Sequence, residues 1–397
     1  MIYINGFACK SALGLTEEES VKNLSEGTDI CLRERVGFLP GGQKAYLAEI
    51  PLYPDPLNRH DCRANRLLNE CLNDIRPLID EMMERYSPDR IGAVIGTSTS
   101  AITDVENEVL SAECEKNGEL KYDPRVSEIG NISAFISDRL AITGPSYSIA
   151  TACSSGGRAF VSARALLESG ACDAVLVGAC DTLSRITVSG FFALGALDTG
   201  RCHPLCDDRA GINIGEGVGI TILTREPLKS GYVMKLLGTG SSTDGYHISA
   251  PEPEGHGAKT AIRLALMDAG LSPEDIGYVN LHATGTVLND AMEHKVIRDV
   301  FGDRVPVSGT KHLTGHTLGA AGVVEAYIAY LIFRHGMKLP AIGYLSHMPS
   351  HEFDDIHLVK EPEDLQKPVI MSNNFAFGGN NISLIFGKYD SEQSDVR

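Results

Sequence analysis

Short apolar runs of strand character alternate with longer stretches of helical period along almost the whole chain. IGAVIG at 91–96, AVLVG at 174–178, YVNL at 278–281 and VPVS at 305–308 are brief and rich in β-branched residues, the pattern of strands buried on both faces. Between them, 63–86, 154–169, 258–269, 290–300 and 320–334 carry apolar residues at helical spacing, and several are followed at once by glycine. The alternation predicts an α/β protein with mainly buried, largely parallel sheets. Near 225–232 the run GITILTRE gives way to EPLKSG and then to a new strand, which predicts two α/β halves, 1–228 and 229–388. No repeat between them is visible by eye.

Composition narrows this picture. With 397 residues, 43% hydrophobic and 22% charged, the chain suits one large domain or two sharing a core, and disordered, collagen-like and coiled-coil classes drop out. No apolar run reaches the ~18–20 residues that cross a bilayer, and the opening residues lack a basic stretch followed by an apolar one. A cytoplasmic protein with no membrane contact is expected. Lys and Arg total 35 against 52 Asp and Glu, and the net charge of −17 argues against nucleic acid as a partner. Any acidic partner needs a local basic patch. The 10 cysteines are scattered without the density of a disulfide scaffold, so reduced thiols are expected. Cys202-His203-x-x-Cys206 has no second ligand pair at zinc-like spacing, and no metal site is expected.

Four segments carry residues that can do chemistry. In YSIATACSSGGR (147–158) a strand ends in small residues, Cys153 sits at the turn, and a helix begins directly after it. This is a nucleophile elbow, in which the helix N-terminus favours a thiolate and small neighbours let a bulky substrate reach the sulfur. VNLHATGT (279–286) and VSGTKHLTGHTLGAAG (307–322) each place a histidine, His282 and His316, where a strand gives way to a helix. In open α/β sheets such carboxyl ends of strands line the ligand crevice. SNNFAFGGNN (372–381) joins two strand-like runs, and Gly378 and Gly379 allow positive φ and close backbone approach, so the loop can supply an oxyanion-hole N–H. Read singly, each segment is more often structural: a buried inert thiol, a hydrogen-bonded histidine, a Gly-Gly hairpin turn. His312, beside Lys311 and without flanking glycine, is read as structural.

Together and in this order, TACSSG, HATGT, KHLTGHTLGAAG and NNFAFGGNN resemble the β-ketoacyl synthase family of the thiolase superfamily over nearly the whole chain. The resemblance implies a five-layer αβαβα fold of two duplicated halves, with Cys153 on the first and both histidines on the second. It implies decarboxylative condensation: Cys153 takes an acyl group from acyl carrier protein, and His282 and His316 promote decarboxylation of the malonyl carrier and stabilise its enolate. Backbone N–H groups of Cys153 and Phe377 would form the oxyanion hole, with Phe377 as a gate. Lys311 and Glu325 match supporting charged positions, and Thr284 and Thr286 match the hydroxyls that hold a phosphopantetheine arm. No free cofactor is implied, because substrates ride on carrier-bound phosphopantetheine. The implied partners are acyl carrier protein and a second chain, either a copy or a related chain-length-factor subunit.

Residue types separate this family from its neighbours. A thiolase-like acyl-CoA acyltransferase uses a second, C-terminal cysteine, and none follows Cys206. A starter-condensing synthase has asparagine in place of His316, and a non-catalytic chain-length-determining subunit lacks the cysteine. The segment from Thr182 to Thr187 and the shortened N-terminal region resemble discrete aryl-polyene synthases more than housekeeping fatty-acid enzymes. Four positions depart from the common pattern: Ala283 for glycine, Asn380 for threonine and Ile212-Asn213 for Phe-Val. For carrier docking the basic run NRHDCRANR offers Arg59, Arg63 and Arg66.

Overall fold

The computed structural model describes residues 1–27, 31–114, 123–342 and 349–389. The sequence ends in a polar stretch, 388–397, which lies outside the described residues from 390 onwards. In the first part the order is β1 (Ile2–Ser11), α1 (Glu17–Glu26), β2 (Arg33–Val36), β3 (Lys44–Leu47), α2 (Arg63–Asp74), α3 (Arg76–Arg85), β4 (Ile91–Gly96) and α4 (Ile102–Cys114). Then come α5 (Pro124–Ser127), α6 (Asn131–Leu140), β5 (Ser146–Ile149), α7 (Ser155–Glu168), β6 (Ala174–Asp181), α8 (Arg185–Ala193) and β7 (Gly217–Thr224). The second part runs β8 (Val233–Thr243), α9 (His256–Ala269), β9 (Tyr278–Asn280), α10 (Val287–Phe301), β10 (Val307–Ser308), α11 (Lys311–Thr314), α12 (Ala321–His335), β11 (Val369–Phe375) and β12 (Asn380–Lys388).

Apart from the β2–β3 ribbon, the strands form one sheet in the order β10-β9-β11-β12-β8-β1-β7-β6-β4-β5. Outward from the β8–β1 seam, both wings obey one rule: first strand, then fifth, fourth, second and third. The topology thus shows a duplication that the residues do not. Parallel pairing is confined to the wing tips, β4 with β5 and β6, and β9 with β10 and β11. The five pairings around the seam are antiparallel. The expectation of largely parallel sheets is corrected here, because a strand covered on both faces reads as a continuous apolar run in either orientation. β7, buried at every residue, is antiparallel to both neighbours.

Three core clusters give the layers. Helices α7 and α12 fill the middle between the wings, packed on residues of β1, β6, β8 and β12. On the outer faces lie α2, α3 and α6 over the first wing, and α9 and α10 over the second. Helix α12 is apolar nearly all round, as a helix buried on every side must be. The single helix expected over 63–86 is two, α2 and α3, broken at Ile75 because Pro77 cannot donate into the preceding turn. Among the described residues no helix is long and apolar enough to cross a membrane.

Candidate active site

Strand tips on both wings carry the reactive side chains into one crevice. After β5 the chain turns through Ala152, whose φ of 52° is left-handed. That conformation costs an alanine about 1–2 kcal/mol and is held by its surroundings. The Ala152 carbonyl accepts from Ser155 Oγ at 2.6 Å and Ser98 Oγ at 3.0 Å, while Thr151 N–H donates to Ser155 Oγ at 2.9 Å. Cys153 follows, 5% exposed, directly before α7. The glycines opening that helix are required by packing. A Cβ at Gly156 would lie 2.8 Å from the Gly319 carbonyl oxygen, and one at Gly157 would lie 2.8 Å from Ile382.

Burial pushes the Cys153 thiol up to about 11, against the pull of the Lys311 charge and the Phe377 backbone N–H. Desolvation is the largest of these influences on the sulfur, and the Lys311 charge and the Phe377 N–H oppose it.

On the second wing His282 follows β9. Its N–H and that of Ala283 donate to the two carboxylate oxygens of Glu293 on α10, each at 2.7 Å. Burial raises the Glu293 carboxyl to about 8. His316 follows β10 and α11. Its N–H donates to the Asn213 carbonyl at 2.7 Å, and its Nδ1 accepts from Leu318 N–H at 3.2 Å. A neutral ring with Nδ1 so occupied carries its proton on Nε2. The two imidazoles stand edge to face, centroids 5.3 Å apart, and Cys153 Sγ and one nitrogen of each ring all lie within 4.8 Å of one another. Burial and the nearby Lys311 charge hold both imidazoles well below the usual histidine range.

Lys311 Nζ meets Glu325 of α12 at 2.5 Å, both fully buried, and Glu325 also accepts from Asn374 Nδ2 of β11 at 2.6 Å. Glu325 thus fixes the Lys311 ammonium, whose charge is felt by the sulfur and by both rings. Cys153, His282 and His316 share a cavity of about 410 Å³ with Phe377, Thr284 and Thr286. The Thr284 and Thr286 hydroxyls are 3.0 Å apart, and the Cys202 thiol donates to the Thr284 carbonyl at 3.3 Å. Cys202 is thus a clamp on that loop, a role no spacing rule disclosed.

The loop of Phe377, Gly378 and Gly379 is a hairpin turn, since β11 and β12 pair antiparallel up to Phe375 and Asn381; Phe377 lines the cavity, while Gly378 and Gly379, expected to bind substrate, are not among its lining residues. Gly378 and Gly379 take φ of 75° and 72°, as their type allowed, and the Gly378 N–H donates to the Ile248 carbonyl at 2.8 Å. The Phe377 ring lies 5.5 Å from that of Phe191.

Other expected residues lie elsewhere. Arg63 is corrected as a docking residue: its guanidinium is inside, on both oxygens of buried Glu216 and on the Ile50 and Leu52 carbonyls. Arg66 is committed to Asp61 through two bonds of 2.6 Å. Arg59 is 80% exposed but faces Asp138 at 3.3 Å, so this run offers no free basic patch. His312 is buried and is not among the residues lining the cavity.

The departures acquire physical meaning. Ala283 has φ of 35°, a position where glycine is easier, and its methyl occupies space that forbids a side chain at Gly309, whose Cβ would lie 2.4 Å away. Asn213 accepts from Cys202 N–H at 2.7 Å and donates to the Asp198 and Gly200 carbonyls.

Residues 70–228 match the beta-ketoacyl synthase N-terminal domain and residues 233–344 the beta-ketoacyl synthase C-terminal domain. The chain belongs to the beta-ketoacyl synthase family. Among curated members, a 3-oxoacyl-[acyl-carrier-protein] synthase 2 of Staphylococcus aureus is 34% identical over 271 residues, 64% of this chain and 64% of the relative. The match thus spans just under two thirds of that synthase. One from Synechocystis is 32% identical over 339 residues, 81% of this chain and 79% of the relative. Among solved structures, the ketosynthase ApeO in complex with its chain length factor ApeC, from Xenorhabdus doucetiae, superposes with a TM-score of 0.93 and 41% identity over 98% of both chains. The ishigamide ketosynthase/chain length factor gives 0.85 and 26% over 98% of this chain and 99% of the other. The thiolase-like α/β fold of these synthases is the fold of this chain.

Proposed function

We propose that the protein catalyses decarboxylative condensation of an acyl group on Cys153 with a malonyl group on acyl carrier protein. The convergence of the Cys153 sulfur and one nitrogen from each of His282 and His316 within 4.8 Å carries this reading. In the first step the sulfur bonds to the acyl carbon, the bond to the carrier's sulfur breaks, and the thiol proton ends on the departing carrier thiol. A thiol resting near 11 favours such coupled transfer over a standing thiolate.

In the second step the malonyl carboxylate leaves as CO₂ and its bonding pair becomes an enolate, whose oxygen accepts from His282 and His316. Neutral imidazoles suffice, since decarboxylation needs no strong base, and hydrogen bonds preorganised in a dry site are worth far more than in water. The enolate carbon then attacks the thioester carbonyl, whose oxygen accepts from the Cys153 and Phe377 N–H groups. The Cys153 sulfur leaves and takes up one proton. Lys311, held by Glu325, places its ammonium near the sulfur and both rings; Thr284 and Thr286 line the path of the phosphopantetheine arm, Gly378 and Gly379 shape the turn that carries Phe377, and Phe377 gates the acyl chain.

The product is a 3-oxoacyl carrier two carbons longer. We place the enzyme in an aryl-polyene-type pathway, on the Thr182–Thr187 resemblance and the 41% identity with ApeO. A division at 228/229 fits the two family domains and the repeated strand order. Edge strand β5, with Tyr147 exposed, is our candidate surface for a second chain, a copy or a chain-length factor. The carrier docks outside the Arg59–Arg66 run. A cytoplasmic setting fits the scatter of cysteines along the chain without the density of a disulfide scaffold. A thiolase-like exchange is disfavoured because Cys153 is the cysteine among the residues lining the cavity.

Incubation with acyl-carrier and malonyl-carrier tests the reading. Intact mass should show the acyl group on Cys153 and loss of both adduct and 3-oxoacyl product in Cys153→Ala; product formation at the parent rate by that variant overturns it.

A further inference from the structure

Behind the cavity lies a second buried acid that the steps above do not use. Asp181 is the last residue of β6, fully buried, and ends an otherwise apolar strand. Its Oδ1 accepts from Thr97 Oγ1 (2.8 Å), Ser98 N–H (2.9 Å), Thr99 N–H (2.8 Å) and Thr99 Oγ1 (2.8 Å), and its Oδ2 from Gly319 N–H (2.6 Å). Oδ2 also accepts from Ser98 N–H at 3.0 Å, so both oxygens face backbone donors that offer a carboxyl proton no acceptor, and the carboxylate form fits this nest. Burial holds the group above the ordinary carboxylate range, and the donors pull against it.

The two sets of donors belong to the two reacting tips. Ser98, held through its N–H, donates its own hydroxyl to the Ala152 carbonyl, the left-handed residue directly before the nucleophile. Gly319 follows Leu318, itself left-handed at φ 51°, whose N–H fixes Nδ1 of His316. The fit is close: a Cβ on Gly319 would come within 2.7 Å of Asp181 Oδ2 and of Ser98 Oγ. The Gly319 carbonyl in turn abuts Gly156 in the first turn of α7. One carboxylate therefore spans the β4 tip, the nucleophile elbow and the turn after His316.

We propose that Asp181 is a positioning residue that registers Cys153 against His316, holding the Leu318–Gly319 turn so that His316 keeps its proton on Nε2 toward the cavity. The proposal rests on the condensing reading above. Asp181 touches no substrate; it acts through the turn and through Ser98. Asn at this position keeps the size but cannot accept on both sides, so either the Gly319 N–H or the 97–99 loop loses its acceptor. A displacement of the ring by a fraction of an ångström is enough to show in the rate.

The test is a double-mutant cycle read on CO₂ release from malonyl carrier, with acylation of Cys153 followed in parallel by intact mass. Asp181→Asn should lower kcat for CO₂ release by roughly 10- to 100-fold with KM changed less than about 2-fold. In the His316→Ala background the same substitution should change the rate less than about 3-fold, because its target is gone. Ser98→Ala, which leaves the carboxylate in place, should slow acylation of Cys153 and spare CO₂ release. If Asp181→Asn does not fold, Thr99→Val, which removes one donor, should give the same split in weaker form. Equal losses with and without His316, or a Ser98→Ala variant that slows both half-reactions alike, would show a merely structural acid and overturn the proposal. Parent enzyme that releases no CO₂ would instead refute the condensing reading, a separate outcome.

Discussion

The two wings of the sheet share one strand order and use it for opposite purposes. After its third strand the first wing presents Cys153 and after its second the Thr97–Thr99 loop; after the corresponding strands the second wing presents His316 and His282. The fourth strand ends on Asp181 in one wing and runs into the Phe377 loop in the other. In the proposed reaction the first wing contributes the nucleophile and the polar scaffold around it, and the second contributes the imidazole donors for the enolate oxygen. A duplicated framework brings both sets of tips to one crevice, which lets one half specialise in covalent chemistry while the other handles charge.

The comparison breaks most sharply at the nucleophile. Cys153→Ala should abolish elongation, by at least ~10³-fold in kcat/KM, while CO₂ release from malonyl carrier continues, since that half-reaction belongs to the other wing. Equal loss of both would erase the distinction. Next in size is Lys311→Met, which strands Glu325 without its counter-charge. A destabilisation of ~3–5 kcal/mol in denaturant melts is expected, reduced in the Lys311→Met, Glu325→Leu double variant.

His282→Ala should cost about 10²- to 10³-fold in CO₂ release yet leave Cys153 acylation within a few-fold, the converse of the cysteine variant. The two wings should also differ in pH response. Because both imidazoles are held well below the usual range, CO₂ release should be flat from about pH 6 to 8, with no limb near 6.5. Alkylation of Cys153 by iodoacetamide should instead climb across that range and beyond, as the thiolate fraction of a thiol near 11 rises with pH. The smallest effect is expected at Ala283→Gly. Relief of the left-handed backbone and loss of the methyl over Gly309 offset each other, leaving stability within ~1 kcal/mol of the parent.

Much of the site was legible before the structure because its residues sit at strand-to-helix junctions with distinctive small neighbours. TACSSG and HATGT announce backbone turns as well as reactive atoms, and Gly378 and Gly379 do adopt the positive φ their type allows. What escaped was whatever depends on contact between distant segments. Glu293 and Asp181 accept backbone N–H groups from other tips, and the available signal was a charge terminating the apolar run AVLVGACD or facing inward on a helix. Strand direction was illegible for a related reason: burial on both faces removes the alternation that marks an antiparallel strand, so β7 reads as parallel. Arg63 misled in the opposite sense, since a basic run near a helix start does not disclose that Glu216, 153 positions later, lies beneath it.

The central claim is that donors from one wing complete a reaction on the sulfur of the other, and the most direct check counts carbon. Enzyme charged with acyl on Cys153 is mixed with malonyl carrier labelled in its free carboxylate, and released CO₂ is measured against 3-oxoacyl product in a single turnover. One CO₂ for each new carbon–carbon bond is the expected result. Product formed with the label retained, or acyl enzyme that returns to free thiol by hydrolysis alone, would contradict it.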